Sequence, residues 1–388
     1  MSADLGSFPH AFGPLICGPI IFGGAPIGGL YAPVSDEAAA RTLAAAWAAG
    51  IRAFDTAPHY GAGLSERRIG EFLAGRPRGE FAVCTKVGRR LVPAGGDVPG
   101  AEAFYGTPPL TRVRDYSRDG VLRSLEESLT RLGLDRVDIA LIHDPDEVLS
   151  QAADETYPAL AELRSQGTVA AIGAGMNSAA ALTWLAERCD LDCVLEAGRY
   201  TLLDDSAADR LFPLCLRRGV AVLAGGVFNS GILAGAADGA TYDYAPAPPA
   251  LLARARRMRD ACAAYGVPLA AAALQFTLRH PAVATAVVGA RSPEEITADV
   301  SYLKTPIPDA LWAELETRLR RPGALDGDRG GVAVTDGLAH LEAERSDGKI
   351  GEQALGYMLG GGFDKPESAL AHHGGDRRGH GRVVERIG

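Results

Sequence analysis

Four residues at or near the ends of predicted strands have the side chains that acid–base chemistry needs. Asp55 ends the strand in FDTAPHYG, Lys86 ends the strand in CTKVG, and His143 ends the strand in LIHDPD. Tyr60 lies on the loop that follows Asp55. Each residue alone also fits a structural role, as a turn-capping aspartate, a solvated lysine or a core histidine. Together they make an ordered acid–base set on consecutive strands.

This set suits proton transfer to or from an alcohol oxygen. The pKa of a tyrosine is ordinarily about 10, too high for efficient work at neutral pH, and a nearby Lys86 ammonium would lower it. Asp55 would keep Lys86 charged, and His143 would orient the substrate oxygen. The sequence contains no GxSxG motif and no cysteine beside a paired histidine. We therefore expect proton transfer coupled to hydride transfer, which needs a nicotinamide cofactor.

The elements that position these residues alternate between strand and helix. The strand candidates are Gly18–Phe22, Arg52–Asp55, Phe81–Lys86, Val137–His143, Val169–Ala174, Asp192–Ala197, Ala221–Ala224 and Ala284–Gly289. The helix candidates are Ser35–Ala49, Ser65–Leu73, Asp119–Leu132, Pro158–Gln166, Ala179–Arg188, Ala207–Arg218, Pro249–Tyr265 with Ala270–Arg279, and Pro293–Tyr302. Eight such repeats predict an α/β fold that closes into a (β/α)8 TIM barrel. Its active site should lie at the C-terminal ends of the strands.

Signals at the helix ends support these boundaries. Ser35, either Ser117 or Asp119, and Ser292 before Pro293 are N-terminal signals. Glycines stand where a left-handed C-terminal residue is expected, at Gly50, Gly75, Gly133, Gly167, Gly219 and Gly266. A last helix, Asp309–Arg321, should pack on the outside of the barrel. We assign residues 1–321 to the barrel and residues 322–388 to a Gly-rich C-terminal extension, which we expect to be mobile.

Composition restricts the class of protein. The 388 residues are 47% hydrophobic with a net charge of -9, which disfavours nucleic acid as a partner because phosphate binding needs a basic face. No segment approaches the ~20 apolar residues that span a membrane, and no signal peptide is evident. The 6 cysteines contain no CxxC and indicate reduced thiols. We expect a cytoplasmic enzyme that acts on a small molecule without a metal; the oligomeric state is left open.

Two groups of residues have side chains that can bind a metal. Cys189 and Cys193 are close in sequence, but no second pair completes a zinc site. His372, His373 and His380 in the extension fit a flexible polar terminus better than a metal site.

Longer motifs resemble the aldo-keto reductase superfamily. FDTAPHYGAGLSERRIG, CTKVG, SLEESLTRLGLDRVDIALIHDPD, VAAIGAGMNS and VVGARSPEEI are similar to its successive signatures, in order, over roughly residues 15–320. The resemblance implies a catalytic tetrad of Asp55, Tyr60, Lys86 and His143. It also implies that Asn177 contacts the nicotinamide carboxamide. The segment from Gly289 to Asp299, with Arg291, Ser292 and Glu295, would hold the adenosine end of the cofactor.

A closer resemblance is to the bacterial aldose 1-dehydrogenase branch, which includes L-fucose, D-threo-aldose and pyridoxal 4-dehydrogenases. DYSRDG, IHDPD, AGRYTLLD and FNSGIL are similar to that branch. The implied reaction is oxidation of an aldose at C1 to the lactone. The alternatives are a pyridoxal dehydrogenase and a general aldehyde or ketone reductase. His59 and Asp144 near the tetrad add hydrogen-bonding groups that suit a polyhydroxylated substrate.

Departures from the superfamily pattern concern the nicotinamide. Many members have a glutamine where this chain has Ala197, and a stacking tyrosine where it has Gly225. Tyr200 and Phe228 are candidates to pack against the nicotinamide or the substrate, and both also fit ordinary core positions.

We expect NAD in preference to NADP, although NADP stays possible. Relatives that grip the 2′-phosphate offer a lysine and an arginine where this chain has Gly289 and Glu295. A glutamate repels a phosphate and can accept a ribose hydroxyl. Arg291 lies between the two positions and could restore phosphate binding.

Two other function classes fit part of this residue pattern. A metal-dependent barrel hydrolase would use Asp55, His59, His143 and Asp144, but it lacks an HxH pair on the first strand. A non-enzymatic regulatory subunit would not need the intact tetrad. Substrate choice should depend on the loops Arg90–Arg118 and Ala236–Pro249, whose shapes the sequence leaves open.

Overall fold

The computed structural model describes residues 18–95 and 103–320. Eight parallel strands close into a barrel, as predicted. They are β1 (Ile20–Gly23), β2 (Ala53–Asp55), β3 (Ala82–Val87), β4 (Val137–His143), β5 (Val169–Met176), β6 (Cys193–Ala197), β7 (Ala221–Gly225) and β8 (Val283–Gly289). Each strand pairs with its neighbours in chain order, and β8 closes on β1 through the register Gly23↔Gly289. All eight strand predictions are confirmed, with shifts of one or two residues at their ends.

Helices follow the strands on the outside of the barrel. The longer ones are α1 (Asp36–Ala48), α2 (Leu64–Leu73), α3 (Arg118–Leu132), α4 (Tyr157–Ser165), α5 (Ala179–Arg188), α6 (Leu211–Arg218), α7 (Pro249–Ala264), α8 (Leu269–Thr277), α9 (Pro293–Lys304) and α10 (Asp309–Arg320). Short helical turns cover Pro26–Gly28, Arg78–Glu80, Leu149–Gln151, Ala152–Thr156, Ser206–Ala208 and Ile232–Gly235. Every helix candidate from the sequence is present.

The helix-end predictions are also confirmed. The hydroxyls of Ser35 and Ser117 accept hydrogen bonds of 3.1 Å from the first turns of α1 and α3, and Ser292 accepts one of 3.3 Å in α9. Ser117 rather than Asp119 is therefore the cap of α3. The six predicted C-terminal glycines all have positive φ, between 65° and 90°.

Two β-hairpins were not predicted. Arg89–Pro93 pairs antiparallel with Leu110–Arg114 in the connection between β3 and β4. Thr241–Tyr242 pairs with Ala245–Pro246 in the connection that follows β7. Both lie in the loops whose shapes the sequence left open, and both are placed over the mouth end of the barrel by the strands that precede them.

The barrel interior is filled by alternate residues of each strand. The inward positions are Ile21, Ala53, Ala82, Cys84, Ile139, Leu141, Ala171, Cys193, Leu195, Ala221 and Leu223. The residues between them face the helices and join the larger outer core. Because side chains alternate along a strand, the next inward position on each strand lies in the mouth.

Some expectations lie outside the described residues. These are the first residues of the chain, Arg321, the extension 322–388 with its three histidines, and Cys17. The five described cysteines are buried and form no disulfide with one another. No helix within residues 18–95 and 103–320 is long and apolar enough to cross a membrane.

Candidate active site

The inward alternation of three adjacent strands brings the predicted acid–base residues together. Asp55 follows the inward Ala53 of β2, Lys86 follows Cys84 of β3, and His143 follows Leu141 of β4. They therefore occupy the top interior layer of the barrel, at the mouth. All three side chains are buried.

The rest of this top layer is made of very small residues. The corresponding inward positions on the other five strands are Gly23, Gly175, Ala197, Gly225 and Gly289. No side chain larger than a methyl group projects from them. The mouth therefore has a charged half, on β2–β4, and a half lined by these glycine and alanine residues, which we call the open half.

Asp55 and Lys86 form a buried ion pair at the base of the site. The Lys86 Nζ donates to both carboxylate oxygens of Asp55, at 2.9 and 2.8 Å, and to the Thr56 carbonyl at 2.9 Å. Burial is the largest single influence and alone would lower the pKa of Lys86, but Asp55, Tyr60 and Cys84 together outweigh it and raise the pKa. The lysine is therefore a fixed positive charge.

Tyr60 is held over this charge by a close approach of two loops. Gly61 has φ +66°, and an added Cβ there would meet the Gly28 carbonyl oxygen at 2.2 Å, so only glycine allows the contact. The Lys86 Nζ lies 4.4 Å from the centre of the Tyr60 ring. Phe104 also stacks on Tyr60, with ring centroids 6.1 Å apart.

The acidity of Tyr60 reflects two opposing effects. The ring is partly exposed, but protein surrounds its hydroxyl end, and burial raises the pKa of Tyr60 above its ordinary value of 10.0. The charge and hydrogen bond of Lys86 lower the pKa, and the Asp55 carboxylate raises it. The predicted influence of Lys86 therefore has the expected sign, yet the net pKa lies above the ordinary value, not below it.

His143 is neutral in this surrounding. Burial lowers the pKa of His143 well below its usual value, and the positive charges of Lys86 and Arg89 lower it further. Its ring stands perpendicular to that of Tyr60, with centroids 5.9 Å apart. Nε2 lies 3.5 Å from the Asp144 carboxylate. Neutral imidazole can donate one hydrogen bond to a substrate oxygen held between His143 and Tyr60.

A second ion pair, which the sequence did not predict, borders the site. The Arg89 guanidinium donates to the Asp144 carboxylate at 2.6 Å and lies 3.3 Å from the His59 Nδ1. Arg112 on the same hairpin donates to the His59 carbonyl at 3.0 Å. His59 and Asp144 thus lie beside the tetrad, as expected for substrate contacts. The position of Arg89, three residues after Lys86, could have marked it as a residue near the site. Its pairing with Asp144 could not be predicted, because that contact needs the folded hairpin.

The residues expected to hold the cofactor lie on the open side. Asn177 is exposed directly after β5, and its carbonyl accepts a hydrogen bond of 2.9 Å from Arg199. At Gly225 an added Cβ would lie 3.1 Å from the Leu195 side chain, so a larger residue would enter the open half of the mouth. These positions fit a planar ring lying over the small residues.

The N-terminal turn of α9 is tightly ordered. Ser292 caps the helix, and the Glu295 carboxylate accepts the Arg291 amide at 2.8 Å. The Arg291 guanidinium lies 3.6 Å from the same carboxylate. Burial, and then the Glu295 charge, raise the pKa of Asp299 to about 7. At Gly289 an added Cβ would lie 2.8 Å from Pro26, which leaves no room for a side chain.

The two aromatic candidates lie elsewhere. Tyr200 packs in the outer core against Phe212, Phe276 and His280, with ring centroids 4.8, 5.1 and 5.3 Å away. The structure therefore does not bring Tyr200 to the site, and its core alternative is the one observed. Phe228 follows β7 near the mouth, but it is partly buried against the hydrophobic core.

The residues of the metal-hydrolase alternative do not form a metal site. Both oxygens of Asp55 are engaged by Lys86. Within residues 18–95 and 103–320, no group of three or more histidine, cysteine or acidic side chains could hold a metal ion.

Comparison with known proteins agrees with this arrangement. Residues 19–319 match the aldo/keto reductase family. The chain belongs to the aldo/keto reductase family. It is an oxidoreductase, and its family uses nicotinamide cofactors. The predicted superfamily resemblance is therefore confirmed.

Among its relatives are two curated bacterial enzymes. A D-threo-aldose 1-dehydrogenase from Pseudomonas sp is 43% identical over 307 residues, which cover 77% of this chain and 93% of the relative. A pyridoxal 4-dehydrogenase from Microbacterium luteolum is 41% identical over 314 residues, covering 76% and 92%. An aldo-keto reductase from Bacillus halodurans, solved in its holo form, has a TM-score of 0.63 at 24% identity, over 77% of this chain and 91% of that one. The last comparison supports the barrel fold alone.

Proposed function

We propose that this protein oxidises an aldose at C1 to the lactone and transfers the hydride to NAD. The observation that carries the proposal is the composition of the charged half of the mouth. Tyr60 and His143 are bordered by two compensated ion pairs, Asp55 with Lys86 and Arg89 with Asp144. Such a surface offers many hydrogen bonds and little net charge, which suits a neutral polyhydroxylated ring. The 43% identity to a D-threo-aldose 1-dehydrogenase supports the same substrate class.

In the proposed mechanism the acid–base group removes the proton of the anomeric hydroxyl. The Tyr60 oxygen, once deprotonated, takes the proton of the C1 hydroxyl while the C1 hydride leaves. The bound nicotinamide supplies the hydride acceptor. Lys86 stabilises the tyrosinate, Asp55 holds Lys86 in place, and His143 donates to the reacting oxygen. The C1 carbon becomes the carbonyl carbon of the lactone, so protons and electrons balance.

The cofactor residues favour NAD in this proposal. Asn177 and the open surface around Gly225 would hold the nicotinamide, and α9 would hold the adenosine. In this proposal the Glu295 carboxylate would repel a 2′-phosphate, and it also engages Arg291. At the other position, where relatives that bind a 2′-phosphate have a lysine, this chain has Gly289. Pro26 fills the space that a side chain would need there.

The test is formation of NADH over a panel of substrates. Fucose, galactose, arabinose and related aldoses should be oxidised with NAD, and kcat/KM should be lower with NADP. Pyridoxal is the second candidate, because a pyridoxal 4-dehydrogenase is 41% identical to this chain. Efficient NADPH-dependent reduction of simple aldehydes, without oxidation of any aldose, would contradict the proposal and favour a general reductase.

A further inference from the structure

Two tyrosines meet above the mouth on strained loops. Tyr31 follows β1 and Tyr244 follows β7, and their ring centroids lie 6.5 Å apart. Their φ angles are +65° and +64°. Bulky residues rarely adopt this left-handed region, and such strain tends to persist at ligand sites where surrounding contacts maintain it.

Tyr31 is connected to the acid–base group through its backbone. Its amide donates to the Ala103 carbonyl at 2.8 Å. The next residue, Phe104, forms a β-bridge with Leu30 and stacks on Tyr60. The loop that carries Tyr31 is therefore fixed against Phe104, which in turn stacks on Tyr60.

Tyr244 is fixed by the hairpin that follows β7. Its amide donates to the Ser230 hydroxyl at 3.1 Å. The neighbouring Asp243 forms an ion pair of 2.7 Å with Arg199, whose Nε also donates to the carbonyl of Asn177. The hairpin tip is thus tied to the residues that line the mouth.

The surroundings of the two tyrosine hydroxyl groups indicate that a ligand binds here. The Tyr31 hydroxyl is buried and, within residues 18–95 and 103–320, has no hydrogen-bond partner. A buried hydroxyl is normally paired, so this one indicates a missing polar group. Tyr244 is 63% exposed, yet its hydroxyl end is enclosed: burial, then Tyr31 and Asp144, raise its pKa to about 12.

The position of Tyr244 favours substrate rather than the distant end of the cofactor. Its hydroxyl is close enough to Asp144 and Lys86 for their charges to influence it, and it in turn raises the pKa of Tyr60. Its ring also contacts Tyr31, whose amide is bonded to the residue before Phe104, and Phe104 stacks on Tyr60. Tyr244 therefore lies on the side of the acid–base group, whereas the adenosine end is expected along α9.

We propose that Tyr31 and Tyr244 form one wall of the substrate subsite and recognise the sugar hydroxyls remote from C1. This inference rests on the proposed aldose oxidation and names residues that select among aldoses. Each hydroxyl bonds one sugar hydroxyl, and the aromatic faces pack on the apolar face of the sugar ring. The pair sets specificity and takes no part in proton transfer.

The test uses Tyr31→Phe and Tyr244→Phe in the full-length protein. Each change removes one hydroxyl and keeps the ring, so kcat/KM for the preferred aldose should fall about three- to tenfold, mainly through KM. Sugars that lack a single ring hydroxyl provide the decisive comparison. For the deoxy sugar that lacks the bonded hydroxyl, variant and wild type should have the same kcat/KM. The Kd of NADH should stay unchanged.

Tyr265→Phe is the matched control, because Tyr265 is 41% exposed at the end of α7. It should match the wild type in every assay. Unchanged kcat/KM across all sugars in the two mouth variants would overturn the inference, and so would a weaker Kd of NADH with an unchanged KM for aldose. A wild-type protein that oxidises no aldose contradicts the proposed function itself; aldose oxidation with unaffected variants contradicts only the role of the pair.

Discussion

Replacing Lys86 should change both the stability of the protein and the acidity of Tyr60. The Lys86→Met change removes a positive charge that lies 2.8–2.9 Å from both oxygens of Asp55, with both side chains at most 3% exposed. A buried carboxylate without its partner costs about 3–5 kcal/mol in the free energy of unfolding. We therefore expect chemical denaturation to show that the Lys86→Met variant is strongly destabilised.

The same change also acts on Tyr60. The ammonium lies 4.4 Å from the ring, and an effective dielectric constant of about 20 gives an interaction of about 4 kcal/mol, or about three pKa units, with the tyrosinate. At neutral pH the fraction of tyrosinate, and kcat with it, should fall on the order of 1000-fold. Because the pKa of Tyr60 is already raised, wild-type kcat should increase with pH through the alkaline range.

The double variant Asp55→Asn/Lys86→Met decides between the two effects. It removes both charges of the pair, so most of the lost stability should return, while kcat should stay low. Stability is measured by urea unfolding, and kcat by NADH formation across pH 7–10. Recovery of kcat together with stability would show that Lys86 serves only the fold, and the proposed role in lowering the pKa of Tyr60 would be wrong.

Three further predictions test other parts of the proposal. Tyr60→Phe should lower kcat by several orders of magnitude while the Kd of NADH, measured by fluorescence titration, stays close to the wild-type value. Glu295→Arg should raise kcat/KM for NADP relative to NAD by about tenfold or more, since it replaces a repelling charge with an attracting one; an unchanged ratio would contradict the assignment of α9. Truncation after Arg321 should leave folding and turnover intact, and insoluble or inactive protein would refute the expectation that the extension is dispensable.

Local sequence patterns were sufficient for the barrel because each element carries its own signal. Strands of buried apolar residues, serine caps such as Ser35, and glycines such as Gly133 act within a few residues of the chain. The tetrad positions could be predicted for the same reason: Asp55, Lys86 and His143 each lie at or next to the end of a strand, and parallel strands end at one mouth.

The border of the mouth could not be predicted because it depends on contacts between distant loops. The partner of Arg89 is Asp144, on another loop, and the two meet only after the hairpin has formed. Tyr31 and Tyr244 are likewise far apart in sequence, and neither belongs to a periodic pattern. The prediction for Tyr200 shows the reverse problem, since an aromatic residue after a strand can turn outward into the core as easily as into the site.

For the proposed aldose oxidation, the division of the mouth would let one site accept both a charged cofactor and a neutral sugar. On the open side, glycine and alanine leave a flat surface and contribute no charge. On the other side Arg89 is already paired with Asp144, so an anionic substrate group would have to displace a carboxylate bonded at 2.6 Å. A neutral hydroxyl can share these groups without breaking the pair. Phosphorylated sugars and sugar acids should therefore be much poorer substrates than the parent aldoses, although they offer the same ring.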